Sequence, residues 1–336
     1  MDTVQHKLYS LLPITDNDLF ELYNKARLTF WTHDEIELEY DISDWKNKLN
    51  DNERYFISHI LGFFVQSDQL VNINLSERFI KDIEEIPEDL YKYSKLFYNF
   101  QQMIEDIHTL TYETMLNELI TDYDTNKYYK NSIQNIPAIY KKAEWAATYI
   151  DCKESTFPIR LIAFAILEGI FFSGSFCSIF WLGQKDAKNK NLMRGLVQSN
   201  KFISRDENLH YTFACTLYNK LKSHPEYDQT NFCNNDLIYD MIKKAVDIEI
   251  EFINVSIPCD MIGMNSNLMA QYIKFVADRL LIDINLKPIY KVENPFDFMR
   301  MLGMIDACNF FEQKETTYQK PVVGNLSGYD SDDCNF

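Results

Sequence analysis

The sequence predicts an all-α protein, a large helical bundle built around a buried polar site and followed by a flexible tail. Three observations predict it. Breakers are scarce, with 9 Gly and 9 Pro in 336 residues, so long helices can run uninterrupted. Apolar residues recur at helical spacing over long stretches. Carboxylates and imidazoles recur three apart inside those same stretches, where a helix places them on one face. Hydrophobic residues make up 46% and charged residues 25%, as expected of a folded chain with a sizeable core. The length allows one large domain.

Taken in order, residues 1–15 read as an N-terminal arm. Asp16 stands as a cap before Leu19, Phe20, Leu22 and Tyr23 and starts a helix. Asp51-Asn52 opens a second apolar-periodic stretch that runs to about Glu77. Further helices are expected over residues 86–120, 138–150, 156–182, 192–222, 235–255 and 262–285, with a short hairpin near 287–293. No solenoid-type repeat is present. The expected helical domain spans 16–311. Residues 312–336 are polar, rich in Gly, Ser and Asp, and aperiodic, which predicts a flexible tail.

The net charge is −17. Such a chain repels phosphate backbones and anionic membrane surfaces, so nucleic acid and membrane are poor partners and a basic groove on another protein is a better one. Seven cysteines lie at 152, 177, 215, 233, 259, 308 and 334 with no CxxC pair, the pattern of reduced thiols in a reducing compartment. The start MDTVQHKLYSLLP lacks an apolar signal core, so the cytoplasm is expected. Residues 161–182 carry a single charge, Glu168, and are long enough to span a membrane. A central bundle helix is apolar all round for a different reason. That reading is preferred, because the span is alone, lacks a flanking basic cluster, and has carboxylates elsewhere to meet Glu168.

The chemistry concentrates in two Glu-x-x-His units, Glu105 with His108 and Glu207 with His210, in a chain of only 6 His. Each unit can aim one carboxylate and one imidazole at a common point. Asp68 and Glu168 sit in further apolar runs, where an unpaired carboxylate is costly. Four carboxylates and two imidazoles from four helices match the ligand set of ferritin-like di-iron and di-manganese bundles. Oxygen and imidazole donors suit iron or manganese, and no cysteine is needed. Four carboxylates also balance two divalent ions.

Over nearly its whole length the chain resembles the small, radical-generating subunit of class I ribonucleotide reductases, in the eukaryotic and eukaryotic-virus form. The segments FWTHDEIEL, NERYFISHILGFF, EGIFFSGSF, SRDENLH, IGMN, FVADRLL and VENPFDFM carry the resemblance, in order and at family-like spacing. It implies that Asp68, Glu105 and His108 hold one metal and Glu168, Glu207 and His210 the other. The implied cofactor is an oxo-bridged pair of iron ions per chain, with manganese open, and a tyrosyl radical.

By the same resemblance Tyr112, one turn after His108, is the radical site. Phe172, Phe176 and Ile203 lie at ligand-face spacing and could form the dry pocket a phenoxyl radical needs. Asp206 is expected to hold the free ring nitrogen of His108. Trp45 matches the family's relay tryptophan, Tyr318 the tyrosine that bridges to the large subunit, and Arg205 is an assisting residue. The acidic tail ending in Phe336 suits docking to the large subunit, ordering as it binds. A homodimer is implied as well. No Gly-rich phosphate loop occurs. The competing reading is a ferritin-like di-metal oxidase acting on a bound apolar substrate, which would need the ligands but not Tyr112, the tryptophan or the tail. An iron-storage bundle and a metal-free scaffold fit the length and Glu168 less well. Arg194 stands where the family commonly has proline, and the final DDCNF departs from the usual tail.

Overall fold

The computed structural model describes residues 10–152, 154–184, 192–256 and 266–299. Met1–Phe296 forms one compact unit and Asp297–Phe336 a second. The tail, with Tyr318 and Phe336, lies outside the described residues, as do residues 1–9 of the arm.

Helix α1 (Asn17–Leu28) starts where expected, with the Asp16 carboxylate accepting the Leu19 amide at 3.0 Å. A short helix α2 (Glu39–Asn47) follows, then α3 (Asp51–Asn74). The α3 cap is Asn50: its side chain takes the Glu53 amide and Glu53 reaches back to the Asn50 amide, both at 2.9 Å. The long α4 (Glu88–Leu119) packs along α3, and α1 lies against α4. Next come α5 (Tyr123–Lys130), α6 (Pro137–Ala146), α7 (Phe157–Ile166) and α8 (Ser173–Gln184). Helices α9 (Arg194–Ser223), α10 (Asn235–Ser256) and α11 (Ser266–Asp283) complete the bundle. α9 packs against α7, α8 and α4, and α10 against α6 and α11.

Helices α2 and α5 are absent from the sequence reading. Both are short, and α5 has only one buried residue, Tyr129, so neither shows a clear apolar stripe. The expected hairpin near 287–293 does not form, and no strand occurs among the described residues. The backbone amides of Ile289, Tyr290 and Lys291 all donate to the Asp278 carboxylate, which leaves them no cross-strand role. Lys291 also adopts φ 55°, outside the strand region.

Among the described residues three wide π turns interrupt the α geometry, at Leu75–Phe79, Ala147–Asp151 and Leu167–Phe171. The last one joins α7 to α8. The apolar helix Phe157–Gly183 is long enough to cross a membrane, yet 94% of its most apolar window is buried inside the protein. It is a core helix.

The start of α9 is held by α2. Met193 takes a left-handed φ of 52°, and its side chain provides no cap. The Asp41 carboxylate instead accepts the Gly195 and Leu196 amides at 2.7 and 2.8 Å, and Asp44 accepts the Met193 amide at 2.9 Å. Two carboxylates thus face the positive end of the helix dipole. A side chain at position 195 would meet the Glu37 carbonyl at 2.6 Å, so the approach requires glycine. Asp41→Ala strips both amides of their acceptor and should lower unfolding free energy by about 1–2 kcal/mol. An unchanged urea midpoint would show that α2 does not anchor α9.

Candidate metal centre

Asp68 comes from α3, Glu105 and His108 from α4, Glu168 from the π turn between α7 and α8, and Glu207 and His210 from α9. All six predicted ligands are at most 3% exposed. Their donor atoms converge in two overlapping groups. Glu105, Glu168, Glu207 and His210 can point within 4.8 Å of one another, and so can Asp68, Glu105 and His108. Glu105 belongs to both. His108 Nδ1 lies 3.2 Å from Glu105 and 3.0 Å from Glu207. His210 Nδ1 lies 2.8 Å from Glu207 and 3.0 Å from Glu105.

The electrostatics are those of a site built for cations. Burial, then the charges of Glu105 and Glu207, push the Asp68 carboxyl well above its ordinary range. Burial and Glu207 do the same to Glu168. Burial also opposes the charged form of Glu207, but His210 and His108 outweigh it and hold that group well down. His210 is pushed up to about 9: burial resists its charging, and Glu105 and Glu207 overcome that resistance. Asp68 Oδ2 and both Glu168 oxygens make no hydrogen bond, and Glu207 Oε1 makes only its ion-pair approach to His108. Buried carboxylate oxygens without donors are costly. A pair of divalent cations would satisfy them and balance four negative charges, so the residues fit a di-metal group.

Tyr112 is fully buried on α4, and its hydroxyl has no hydrogen-bond partner. Burial, followed by the Asp68 charge, drives its phenol well above the ordinary value. Its ring stacks on Phe64 with centroids 4.5 Å apart and planes 11° apart. Phe64 in turn contacts Phe172 at 5.6 Å and Phe176 at 5.1 Å. On the other flank, His108 Nε2 lies 3.2 Å from Asp206 Oδ2, and the Trp31 indole N–H donates to that same oxygen at 2.7 Å. Arg205 binds Asp206 Oδ1 at 3.2 Å and the Thr29 carbonyl at 2.7 Å. Trp31 is 2% exposed.

The family model for the ribonucleotide reductase small chain matches residues 8–295. The chain belongs to this family. A small chain of ribonucleoside-diphosphate reductase from Neurospora crassa is 47% identical over 94% of this chain and 73% of its own length. One from Encephalitozoon cuniculi is 44% identical over 96% and 93%. The solved structure of the Rnr4 homodimer from Saccharomyces cerevisiae superposes with a TM-score of 0.73 at 31% identity, covering 88% of this chain and 89% of that one. The fold is accordingly the ferritin-like bundle of reductase small chains. The chain is the small subunit of a two-subunit oxidoreductase that serves deoxyribonucleotide synthesis, and its buried cluster suits a di-metal site.

In this small chain the structure gathers Asp206, Arg205, Tyr112, Phe172 and Phe176 around the six predicted ligands, and buries Ile203 on α9 at 1% exposure. Trp45 lies half-buried on α2, where its carbonyl accepts Arg54. The indole on Asp206 is that of Trp31. Two tryptophans near the N-terminus are equal candidates by composition, and only the path of the chain after α1 selects between them. Trp31 stands in the segment FWTHDEIEL, one of those that carry the resemblance, which is the signal that could have found it. Phe64, the ring stacked on Tyr112, was also missed, although it follows Asp68 backwards by one helical turn. Gln101, donating to Glu105 at 3.0 Å, lies one turn before that ligand.

Because two divalent cations would balance the cluster's four buried carboxylates, metal should stabilise the fold strongly. Mn2+ or ferrous iron at about 100 times its Kd should raise unfolding free energy by about 2.7 kcal/mol per site. A melting temperature indifferent to either ion would exclude a metal site here.

Proposed function

We propose that this small chain holds two iron ions between Asp68, Glu105, His108, Glu168, Glu207 and His210, stores a radical on Tyr112, and relays it to the large subunit. The convergence of four buried carboxylates and two imidazoles beside a dry, unpartnered tyrosine is the observation that supports this. When bound, the metal pair would supply oxidising power drawn from O2; manganese could occupy the same donors.

The chain's own residues do the rest. Tyr112 is a neutral phenol at neutral pH, and burial and nearby carboxylates further oppose its phenolate. Its electron and proton must therefore leave together. Phe64, Phe172 and Phe176 exclude water and reductants from the ring. Asp206 orients His108 and links it to Trp31, a continuous hydrogen-bonded route out of the cluster. Arg205 clamps Asp206 to the Thr29 carbonyl and so fixes the segment that bears Trp31. Tyr318 would continue the route, and the acidic tail would dock on the large subunit. The free thiols of Cys152, Cys177, Cys215 and Cys233 fit a cytoplasmic protein. Exposed Leu70, Ile73, Met103 and Leu110 lie on the neighbouring helices α3 and α4, an apolar face suited to a second copy of the chain.

Loading the metal-free chain with ferrous iron and O2 should give a tyrosyl signal by electron paramagnetic resonance, absent in Tyr112→Phe with metal content unchanged. A surviving signal would remove Tyr112 from its role. Trp31→Phe and deletion of 312–336 should keep the radical and lose turnover with the large subunit, whereas Trp45→Phe should keep both; the reverse pattern for the two tryptophans would restore Trp45 to the relay. Sedimentation should show a dimer that Leu110→Glu weakens, and a monomeric unsubstituted chain would refute the shared face.

A further inference from the structure

A second buried ionic group, made of none of the predicted ligands, lies against the π turn that carries Glu168. Lys142 on α6 is 3% exposed and Glu249 on α10 is 0% exposed. The ammonium sits 2.5 Å from Glu249 Oε2 and donates to the Phe171 carbonyl at 2.8 Å. It also lies 3.7 Å from the ring centroids of both Phe63 and Phe252, in cation–π contact. A buried pair of this kind is weak evidence for stability, since an apolar pair of similar volume does as well or better. Its placement is what needs explaining.

Phe171 is the last residue of the π turn Leu167–Phe171, which carries Glu168. Such a turn breaks the regular ladder at its end. There the Ile170 carbonyl accepts the Phe172 N–H and the Ser173 hydroxyl, the latter at 2.8 Å, and the Phe171 carbonyl accepts Lys142. Glu249 grips the other side of the break. A Cβ at Gly174 would fall 2.5 Å from Glu249 Oε1, so the carboxylate lies against the first turn of α8 and only glycine admits it. The pair therefore holds the end of the π turn and the start of the next helix at once.

We propose that Lys142 and Glu249 are a positioning pair, which locks the register of the π turn and thereby aims the Glu168 carboxylate at the metal-binding cluster. The inference rests on the di-metal reading. It predicts selectivity: the Glu168 group of donors depends on the pair, while the Asp68, Glu105 and His108 group does not. A pair that served packing alone would affect both groups alike.

The test is Mn2+ titration of the metal-free full chain, with free Mn2+ followed by electron paramagnetic resonance and folding checked by circular dichroism. The unsubstituted chain should take two ions. Lys142→Met with Glu249→Leu, which removes both charges together, should keep one affinity and weaken the other by about 10–100-fold. Lys141→Met is the control. It breaks the exposed Lys141–Glu251 pair between the same two helices, at 2.6 Å, and should leave both affinities alone. Should the double variant not fold, Glu249→Gln keeps the volume, removes the charge and carries the same expectation. Two unchanged affinities, or equal losses at both, would overturn the positioning pair. An unsubstituted chain that takes no Mn2+ would overturn the di-metal reading itself and this inference with it.

Discussion

Four carboxylates brought within reach of one another in an apolar core are the constraint on which this structure depends. Each is desolvated and each repels the others. The strain shows in Asp68 and Glu168, driven well above the ordinary carboxyl range, while Glu207 is held down only by the two imidazoles. Such a centre persists only if a rigid surround keeps it from relaxing or filling with water. Long helices supply that rigidity, because a ligand fixed on α4 or α9 is held by many turns on both sides. The aromatic packing supplies the dryness.

How far the site was legible follows from the same geometry. Glu105 with His108 and Glu207 with His210 could be read because three-residue spacing on a helix is a local property. Glu168 could be read because a lone charge in an apolar run demands a partner. What was hidden depended on distant parts of the chain. Trp31 and Trp45 differ only in where the chain runs after α1, and a carboxylate 175 positions away selects the first. The stretch at 287–293 had the composition of a hairpin, yet Asp278 claimed its amides. The acidic residues of α2 look like surface charge until Asp41 and Asp44 are seen capping α9.

The π turn was the least legible element and among the most consequential. Nothing in LEGIF announces five residues where an α-helix would use four. The extra residue changes which side chains share a face, so Phe172 and Phe176 are not placed relative to Glu168 as a regular helix would place them. Sequence spacing pointed to Phe172 and Phe176, and Phe64 on α3 is the contact between them and Tyr112.

Phe172, the residue just after the turn, explains why its register matters beyond one ligand. It packs at 5.6 Å against both Phe63 and Phe64. Phe63 receives the Lys142 ammonium on its face, and Phe64 stacks on Tyr112. Neighbouring residues of α3, themselves 5.5 Å apart, thus connect the buried ion pair to the tyrosine, and both rest on the ring that follows the π turn. A shift of that turn would turn Glu168 away from the cations and loosen the stack that keeps the phenol dry. Close-packed interiors transmit such shifts instead of absorbing them. Under the proposed function, metal geometry and radical shelter would therefore be two consequences of one local departure from the α-helix, and a buried charge pair suits holding it, because a directed hydrogen bond fixes register where apolar contact alone would allow it to slide.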